Sequence, residues 1–312
     1  MADRLELTGF CNAYAKVNLD LRILAREDSG FHQIETIFQR ISLSDQVSVR
    51  VRAGAGITLS CDTDIPEEQN LAWRAAAVYR HAASWPPVDC VIAVTIDKSI
   101  PAGAGLGGGS ADAGAVLRLL NALNPVPLSA HTLLSAAAQL GADVPFLASE
   151  AVVALAWGRG ERMLALPSLP QRLVRLAQFR EGVNTAMAYR ELAAARADGR
   201  ISAPNSDLLD CTRLTSWSEL HKYARNDFEI PVFAMRPDIA AVHAAMTAAA
   251  PGALVRMSGS GASVFAVTND YQDAFMAAAL SWPGDWDVGM TVAATLESLP
   301  PVRILSAPSG TH

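Results

Sequence analysis

Residues 101–115 form the part of the sequence whose residue types point most directly to chemistry. The segment reads PAGAGLGGGSADAGA and has six glycines around the start of a predicted helix. Glycine loses more conformational entropy on folding than any other residue, so such a run needs a purpose. A flexible loop that leads into a helix N-terminus presents unpaired N–H groups and a positive dipole end, which bind phosphate oxygens. The segment therefore predicts a phosphate-binding loop, and a tight turn with a helix cap is the alternative.

Two better-known phosphate-binding motifs do not fit this segment. Gly103, Gly105 and Gly108 match the pattern G-x-G-x-x-G, but a dinucleotide-binding fold also needs an acidic residue about 20 positions further on. Residues 113–142 contain no aspartate or glutamate. A Walker loop needs lysine directly before the serine, whereas Gly109 precedes Ser110 here. Both assignments fail, and a phosphate loop of another kind remains.

The elements around this loop predict an α+β fold with strands first and helices packed behind them. Strand patterns occur in NAYAKVNLDLRIL (residues 12–24), QVSVRVRA (46–53) and DCVIAVTIDKSI (89–100). Helix patterns occur at residues 110–124, 129–140, 185–199 and near 238–250, with Ser129 as an N-cap and Gly141 as a stop signal. Two prolines in LPSLPQR (166–172) mark a boundary between two halves.

Composition and charge exclude several classes of protein. The chain has 312 residues with 25 basic and 31 acidic side chains, and its net charge of −6 disfavours a nucleic-acid or anionic-membrane surface. Its four cysteines are far apart and form no C-x-x-C pair, so neither a disulfide framework nor a zinc site is indicated. Without a signal-like or membrane-spanning apolar stretch, we expect a cytoplasmic protein with a small-molecule substrate. No oligomeric state follows from the sequence.

The motifs together resemble the GHMP kinase superfamily. The glycine segment is similar to the family's phosphate-binding motif. Further similarity to the branch that acts on a cytidine diphosphate derivative of methylerythritol runs in order from Ala13 to Val267. It rests on AYAKVNLDLRIL, GFHQIETIFQRISLSDQV, GADVPFL, WGRGE, RNDFE and MSGSGASVFAV. The resemblance implies an N-terminal ATP-binding domain (1–168), a C-terminal α+β substrate domain (169–312) and an active site in the cleft between them.

The resemblance also implies a catalytic pair, Lys16 and Asp143. Judged locally, Lys16 is a surface lysine whose stem covers apolar area, and Asp143 caps a turn in which Pro145 holds Val144 extended. In the resembling kinases these two positions perform phosphoryl transfer to an alcohol, here the 2-hydroxyl of the cytidine diphosphate derivative, in the non-mevalonate isoprenoid pathway. Asp143 would accept the hydroxyl proton, and Lys16 would orient the groups and stabilise charge.

For the nucleotide, the resemblance implies ATP with Mg²⁺. No acidic cluster in the sequence identifies protein ligands for the metal. Gly259, Ser260 and Gly261 form a second glycine site that either supports the phosphate region or makes a hairpin turn. The residues expected to contact ATP are Asn70, Lys98, Pro101, Ala102, Gly103, Ala104, Gly105, Leu106, Gly107, Gly108, Gly109, Ser110 and Ala111.

For the other substrate, GFHQIE is expected to form a pyrimidine site. Phe31 would provide a stacking face, although the resembling enzymes usually have tyrosine there, and His32 would provide a donor and an acceptor. Tyr189 would form the opposite wall with Thr185 near it, and Asn18 would reach the methylerythritol end. A lone aromatic residue is more often part of a core, so Phe31 could instead be buried.

Two other functions remain open at this point. A GHMP kinase for homoserine or mevalonate would leave GFHQIE without a task, since those alcohols contain no base. A nucleotide-binding sensor without catalysis would have no need for Lys16 and Asp143 together.

Overall fold

The computed structural model describes residues 6–28, 30–201, 214, 216–268 and 286–305. The strands are β1 (Leu7–Arg26), β2 (His32–Ala53), β3 (Ile57–Cys61), β4 (Cys90–Asp97), β5 (Val153–Gly158), β6 (Arg162–Ala165), β7 (Leu173–Phe179), β8 (Leu254–Met257), β9 (Ser263–Thr268), β10 (Val288–Ala294) and β11 (Arg303–Leu305). The helices are α1 (Leu71–Ala83), α2 (Gly108–Leu123), α3 (Ala130–Ala138), α4 (Val144–Ala148), α5 (Thr185–Ala197), α6 (Trp217–Tyr223), α7 (Glu229–Met235) and α8 (Pro237–Ala249).

The first sheet has seven strands and is built around the long β1–β2 hairpin. Its main order is β11-β1-β2-β4-β3, and β5 and β6 extend it beside β2. β2 pairs with β5 through residues 34–39 and with β4 through residues 46–53, so one strand joins both parts of the sheet. β3 and β4 are parallel and α1 lies between them in the chain, whereas the other pairs are antiparallel.

The β1–β2 register is irregular where the predicted catalytic strand passes. Shifts occur between Tyr14 and Lys16 and again between Asn18 and Asp20. Such bulges bend a strand and re-aim its side chains, and they are frequent next to active sites. Lys16 and Asn18 lie between the two irregularities, and because they are two residues apart their side chains leave the strand on the same face.

Helix α2 packs behind β1 and positions the start of the glycine-rich loop. Most of the helix is buried, and it contacts β1, α1 and α4. A Cβ at Gly114 would collide with the backbone of Leu147 in α4, so glycine is required for this close approach. The tight contact fixes α2 relative to α4, which begins directly after Asp143.

The second sheet has the order β10-β7-β9-β8, with its strands antiparallel, and packs with α5, α7 and α8. Its core cluster includes Leu21, Ile23 and Ile34 from the β1–β2 hairpin. A backbone bridge also joins Leu21 to Asn226. The hairpin is therefore shared between the two halves and holds the cleft walls together.

The predicted α+β class is confirmed, and the predicted strands and helices are present with shifted ends. α2 begins at Gly108 rather than Ser110, and α3 ends at Ala138, before the predicted stop at Gly141. Ser129 caps α3 as predicted, because its side chain accepts a hydrogen bond from the Thr132 N–H. The first half of β2 was not predicted, since residues 34–41 are all buried and show no alternation. The C-terminal strand β11 pairs with β1 and so belongs to the first sheet. The domain boundary at 168/169 stays a prediction.

Glu229, at the start of α7, gives the fold a pH-dependent stability. Burial raises the pKa of Glu229 to about 7 from its usual value near 4.5, against the opposing effects of Arg256 and a hydrogen bond from the Met257 N–H. His243 Nε2 lies 3.8 Å from the Glu229 carboxylate, so this imidazole also faces it. The folded state binds this proton more tightly than the unfolded chain does, so stability falls as pH rises from 4.5 to 7.

We expect Glu229→Gln to be more stable than the wild type at pH 8, because glutamine keeps an acceptor for Met257 without a buried charge. The difference between the two unfolding free energies should change by up to about 3 kcal/mol between pH 4.5 and 8. Urea denaturation across this pH range measures it. Glu191→Gln, an exposed glutamate on α5, is the control. Parallel pH curves for wild type and Glu229→Gln would contradict the prediction.

Candidate active site

A cavity of about 800 Å³ lies in the cleft and brings together the predicted nucleotide and catalytic residues. It is lined from one side by β1, the glycine-rich loop and Asp143, and from the other by α5, Phe228 and the loop between β8 and β9. Of the predicted residues, its lining includes Lys16, Asn18, Asn70, Lys98, all residues from Pro101 to Ser110, Asp143, Thr185 and Tyr189.

The glycine-rich loop has the geometry of an anion cradle. Gly103, Gly105 and Gly107 have φ values of 70°, 74° and 73°, in the left-handed region that favours glycine. No backbone N–H in residues 103–107 donates a hydrogen bond within the described part of the chain. The side chains of Ala104 and Leu106 are buried, so these residues can meet a ligand only through their backbone. Donors of this kind beside the N-terminus of α2 fit a phosphate chain.

The second glycine site is a hairpin turn, as one alternative predicted, and it also contacts the glycine-rich loop; its support of a phosphate site stays a prediction. It connects β8 to β9, and the Ser258 hydroxyl donates to the Gly105 carbonyl at 2.9 Å. The Ser263 N–H donates to the Ala104 carbonyl at 3.2 Å. A Cβ at Gly105 would collide with the Ser258 carbonyl oxygen. The two loops therefore hold each other in place across the cleft.

Gly103 and Gly105 form a matched pair for testing this contact. Both have positive φ, but a Cβ at Gly103 meets nothing within 4 Å, whereas one at Gly105 meets backbone. Gly103→Ala should cost only the left-handed strain of about 1–2 kcal/mol. Because the sequence predicts that this loop binds the phosphates of ATP, Gly105→Ala should also displace those donors, each worth about 1.5–3 kcal/mol. We then expect the KM for ATP to rise about tenfold or more above that of Gly103→Ala. Steady-state kinetics with melting curves would measure both, and equal KM values for the two variants would contradict the role of the contact.

Lys16 and Asp143 meet at the floor of the cavity. Lys16 is 4 % exposed, and its Nζ lies 3.3 Å from Asp143 Oδ2. The ammonium also donates to Asn18 Oδ1 at 2.7 Å, while the Lys16 N–H donates to the Leu106 carbonyl of the phosphate loop at 3.0 Å. The local reading of Lys16 as a surface residue is therefore wrong. Lys16 therefore links β1 to the glycine-rich loop and to the Asp143 carboxylate.

Asp143 occupies the position before α4, but its side chain makes no capping bond with the described residues of that helix. The expectation that Asp143 caps a turn is therefore wrong. The expectation that Pro145 holds Val144 extended is also wrong, because Val144 is the first residue of α4 and Pro145 fits the first turn, where its missing N–H is not needed. The carboxylate is left 29 % exposed and turned toward Lys16 and the cavity.

Asn18 is fixed from both sides. Its Nδ2 donates to the Thr36 hydroxyl at 2.8 Å, and that hydroxyl donates to the Asp20 carbonyl at 2.6 Å. Because the Asn18 amide nitrogen is held in this way, its oxygen faces the Lys16 ammonium. This chain of hydrogen bonds orients the Lys16 ammonium within the buried part of β1.

Lys98 lies on the cavity wall between two buried carboxylates. Its Nζ is 2.5 Å from Asp45 Oδ2 and 2.7 Å from Asp112 Oδ2. Asp45 Oδ1 also accepts from the N–H groups of Ser99 and Ile100, at 2.5 and 2.7 Å. Burial raises the pKa of Asp112, against the opposing effect of Lys98. Lys98 therefore stabilises the base of the phosphate loop, and its contact with the nucleotide stays a prediction.

Asn70 and Thr185 line the same cavity, and each side chain also makes a hydrogen bond within the protein. Asn70 caps α1, with its Oδ1 accepting from the Ala72 N–H at 2.9 Å. The Thr185 hydroxyl lies 2.8 Å from the Ser260 hydroxyl. Ala111 is buried in the first turn of α2, where its N–H donates to the Gly107 carbonyl. It is absent from the described cavity lining, and its predicted contact with ATP remains a prediction.

A second cavity of about 1470 Å³ adjoins the first and contains the predicted pyrimidine site. The rings of His32 and Tyr189 stack at 4.1 Å with an interplanar angle of 14°. Phe31 is 57 % exposed, so the alternative that it belongs to the core is wrong. Its ring is covered by the guanidinium of Arg159 at 4.1 Å. Tyr189 faces His32 here, and its role as the wall opposite Phe31 stays a prediction.

Sequence reasoning missed the partners that hold the site residues. Asp112 is the one acidic residue inside the glycine motif. A buried acid beside an anion site needs a cation nearby, and this signal could have indicated its partner Lys98. Asn226 of RNDFE donates to the carbonyls of Met257 and Gly259, and so supports the second glycine turn. Arg159 of WGRGE lines both cavities. Both residues lie in motifs that carry the family resemblance, but nothing in those motifs indicates the contacts that Asn226 and Arg159 make.

The described residues lack two kinds of feature. They contain no group of three or more His, Cys, Asp or Glu side chains placed to hold a metal ion. Within the same residues, no helix has both the length and the apolar character needed to span a bilayer. Cys11, Cys61 and Cys90 are free thiols, and Cys211 lies outside the described residues.

Comparison with known proteins identifies two matching family models. The model described as "GHMP kinases N terminal domain" matches residues 70–158, and "GHMP kinases C terminal" matches residues 208–281. The chain is 36 % identical over 265 residues to the 4-diphosphocytidyl-2-C-methyl-D-erythritol kinase of Moorella thermoacetica, an alignment that covers 84 % of this chain and 90 % of the relative.

Solved structures agree with the family models. A crystal structure of 4-(cytidine 5'-diphospho)-2C-methyl-D-erythritol kinase matches with a TM-score of 0.71 and 32 % identity, over 92 % of this chain and 98 % of the other. A homoserine kinase from Cytophaga hutchinsonii matches with a TM-score of 0.65 and 18 % identity, over 98 % of each chain. The second likeness is one of fold alone.

Proposed function

The chain belongs to the GHMP kinases and, within them, to the 4-diphosphocytidyl-2-C-methyl-D-erythritol kinases, and from this membership we propose the reaction that it catalyses. It is an ATP-dependent small-molecule kinase. It transfers the γ-phosphoryl group of ATP to the 2-hydroxyl of 4-diphosphocytidyl-2-C-methyl-D-erythritol, a step of the non-mevalonate isoprenoid precursor pathway. The observation that best supports this assignment is the Lys16–Asp143 pair, 3.3 Å apart beside a loop whose backbone donors fit phosphate.

In the proposed mechanism, Asp143 accepts the proton of the 2-hydroxyl as its oxygen attacks the γ-phosphorus. The new O–P bond forms, the bond between the γ-phosphorus and the β–γ bridging oxygen breaks, and ADP leaves with that electron pair. Lys16 lies beside the Asp143 carboxylate and the glycine-rich loop. Its ammonium therefore orients the carboxylate and stabilises negative charge that develops during transfer. Asn18 holds Lys16 in place through its 2.7 Å hydrogen bond.

The ATP phosphates occupy the glycine-rich loop in this proposal, with Asn70 and Lys98 on the wall of the nucleotide cavity. Mg²⁺ bound with ATP would supply charge neutralisation on the phosphoryl group that is transferred. Phosphates and water would provide most of its ligands, because the described residues contain no group of three or more His, Cys, Asp or Glu side chains placed to hold it. The loop's own task is to bind the phosphates through backbone donors, a role that requires no side chain at residues 103–109.

The cytosine binds in the second cavity, where Phe31, His32 and Tyr189 supply aromatic faces and hydrogen-bonding groups. Because this cavity adjoins the one that contains Lys16 and Asp143, a single elongated substrate reaches both ends. We place the enzyme in the cytoplasm, where free thiols such as Cys11 and Cys90 are kept reduced.

A coupled ADP-release assay on the purified protein tests the reaction. The alcohols are the cytidine diphosphate derivative, homoserine and mevalonate, each at matched concentration with ATP and Mg²⁺. We expect ADP release to be stimulated by the cytidine compound alone, with the phosphorylated product identified by phosphorus NMR. Stimulation by homoserine or mevalonate instead would assign another alcohol, and ATP binding without stimulated turnover would indicate a nucleotide sensor.

A further inference from the structure

Arg159 lies where the two cavities meet. Four residues line both of them, namely Ala142, Arg159, Thr185 and Tyr189. Among these shared lining residues of the described chain, Arg159 is the one with a charged side chain. It belongs to the turn between β5 and β6, and its N–H donates to the Glu161 carboxylate at 2.7 Å. A cation is therefore positioned at the passage from the aromatic cavity to the catalytic one.

The Arg159 guanidinium already binds an oxyanion at this position. Its Nη2 and Nε donate to the same oxygen of Glu27, at 2.6 and 3.2 Å, while its plane covers the Phe31 ring. The side chain is 45 % exposed, and an ion pair as exposed as this one is typically worth only about 0–1 kcal/mol. Glu27 can therefore be exchanged for another oxyanion at little cost, and arginine suits phosphate oxygens particularly well.

We propose that Arg159 binds the diphosphate of the cytidine substrate and so sets the distance between the base and the reacting hydroxyl. This inference rests on the proposed function. The substrate has its base at one end and its 2-hydroxyl at the other, so its diphosphate must cross the junction between the two cavities. On substrate binding, the Arg159 guanidinium exchanges its hydrogen bonds to Glu27 for hydrogen bonds to phosphate oxygens. It can remain stacked on the Phe31 ring during this exchange.

The charge around the second cavity supports an anionic ligand. Its lining contains four arginines and two glutamates, a local excess of positive charge in a chain whose net charge is −6. Three of the arginines line this cavity without reaching the first: Arg26, Arg162 and Arg190. These three arginines attract an anion into the second cavity, whereas Arg159 binds it at the junction of the two cavities.

Calorimetric titration with cytidine and CDP separates base binding from phosphate binding. A saturating non-hydrolysable ATP analogue with Mg²⁺ keeps both ligands out of the nucleotide site. Arg159→Met should weaken CDP about 5- to 30-fold, the range for charge-assisted hydrogen bonds reduced for solvent exposure. Cytidine should change less than about twofold, because it lacks the phosphates that Arg159 binds. The CDP effect should shrink as salt is raised.

Two further variants sharpen the test. Arg162→Met removes the same charge from the same hairpin, where Arg162 is mostly exposed and lies 3.8 Å from Glu161; it should change CDP binding less than about twofold if only general attraction is lost. Glu27→Gln should tighten CDP binding, since Arg159 then loses its competing carboxylate.

The outcomes distinguish this inference from the proposed function. The diphosphate site is overturned if Arg159→Met lowers the affinities for cytidine and CDP by the same factor. It is also overturned if the wild type binds cytidine and CDP with equal affinity. Arg162→Met that matches Arg159→Met also overturns it. If CDP is discriminated as expected but wild type releases no ADP with the cytidine diphosphate derivative, the proposed function fails while the phosphate site stands.

Discussion

Asp143→Asn should lower kcat about 10²- to 10⁴-fold, the loss typical of removing a general base. Asparagine has nearly the shape of aspartate but neither its charge nor its basicity, so the substrate hydroxyl loses its proton acceptor. The phosphate loop should be unaffected, and we expect the KM for ATP to stay within about threefold of wild type. Stability should also hold, because Lys16 retains Asn18 Oδ1 at 2.7 Å as an acceptor.

Steady-state ADP release with the cytidine substrate measures this loss, and ATP titration on the same protein separates it from binding. Asp97→Asn is the control, since Asp97 is an exposed residue at the end of β4, outside the catalytic cavity. An Asp143→Asn enzyme that keeps more than about a third of wild-type kcat would rule out the assignment, because such a loss is well under 1 kcal/mol of barrier.

The conformation of the glycine-rich loop could be predicted from sequence because its signal is local. Six glycines ahead of a helix pattern indicate exposed backbone donors regardless of the rest of the fold, and the structure has three of those glycines at positive φ. The strand that contains Lys16 was predicted for the same reason, since its pattern lies within a few residues. Local chemistry was enough to locate the loop and the strand.

The pairing of Lys16 with Asp143 could not be predicted from local pattern. Neither residue has a neighbour in sequence that reveals its partner, and the local readings of both were wrong. The pair forms because α2, fixed against α4 at Gly114, brings the start of α4 to the strand. Only the resemblance to a family whose kinases use both positions predicted that they act together.

Long-range partners account for most of what the sequence did not reveal. Asp45 of β2 and Asp112 of α2 both contact Lys98, and Arg159 contacts Phe31 and Glu27 across two hairpin tips. Charged groups of this kind look like ordinary surface residues in sequence, because their burial and pairing depend on strands far apart in the chain. The same property makes them useful in a site, since each pair ties two separate elements together.

Lys16→Met should lower kcat about 10²- to 10³-fold, the loss seen when a preorganised group that stabilises developing charge is removed. Methionine is an unbranched residue that can fill the space of the lysine stem. That stem packs close to Gly107, since a Cβ added to Gly107 would lie 3.2 Å from Lys16 Cε. Melting temperature should fall modestly, because Asp143 is exposed enough to be solvated without its cation but the buried Asn18 Oδ1 loses its donor. Lys16→Arg keeps the charge, but the bulkier head has no room beside the loop, so it should restore only part of the rate.

The double variant Lys16→Met/Asp143→Asn tests whether the two groups act as one unit. If Lys16 acts by orienting and stabilising the groups around Asp143, removing it after Asp143 is gone should cost little more, and the two losses should be strongly non-additive. Rapid-quench measurement of the phosphoryl-transfer step gives the three rates without interference from product release. A double variant whose loss is the product of the single losses would mean that Lys16 acts on the phosphate loop independently of Asp143. The 3.3 Å contact would then be structural rather than catalytic.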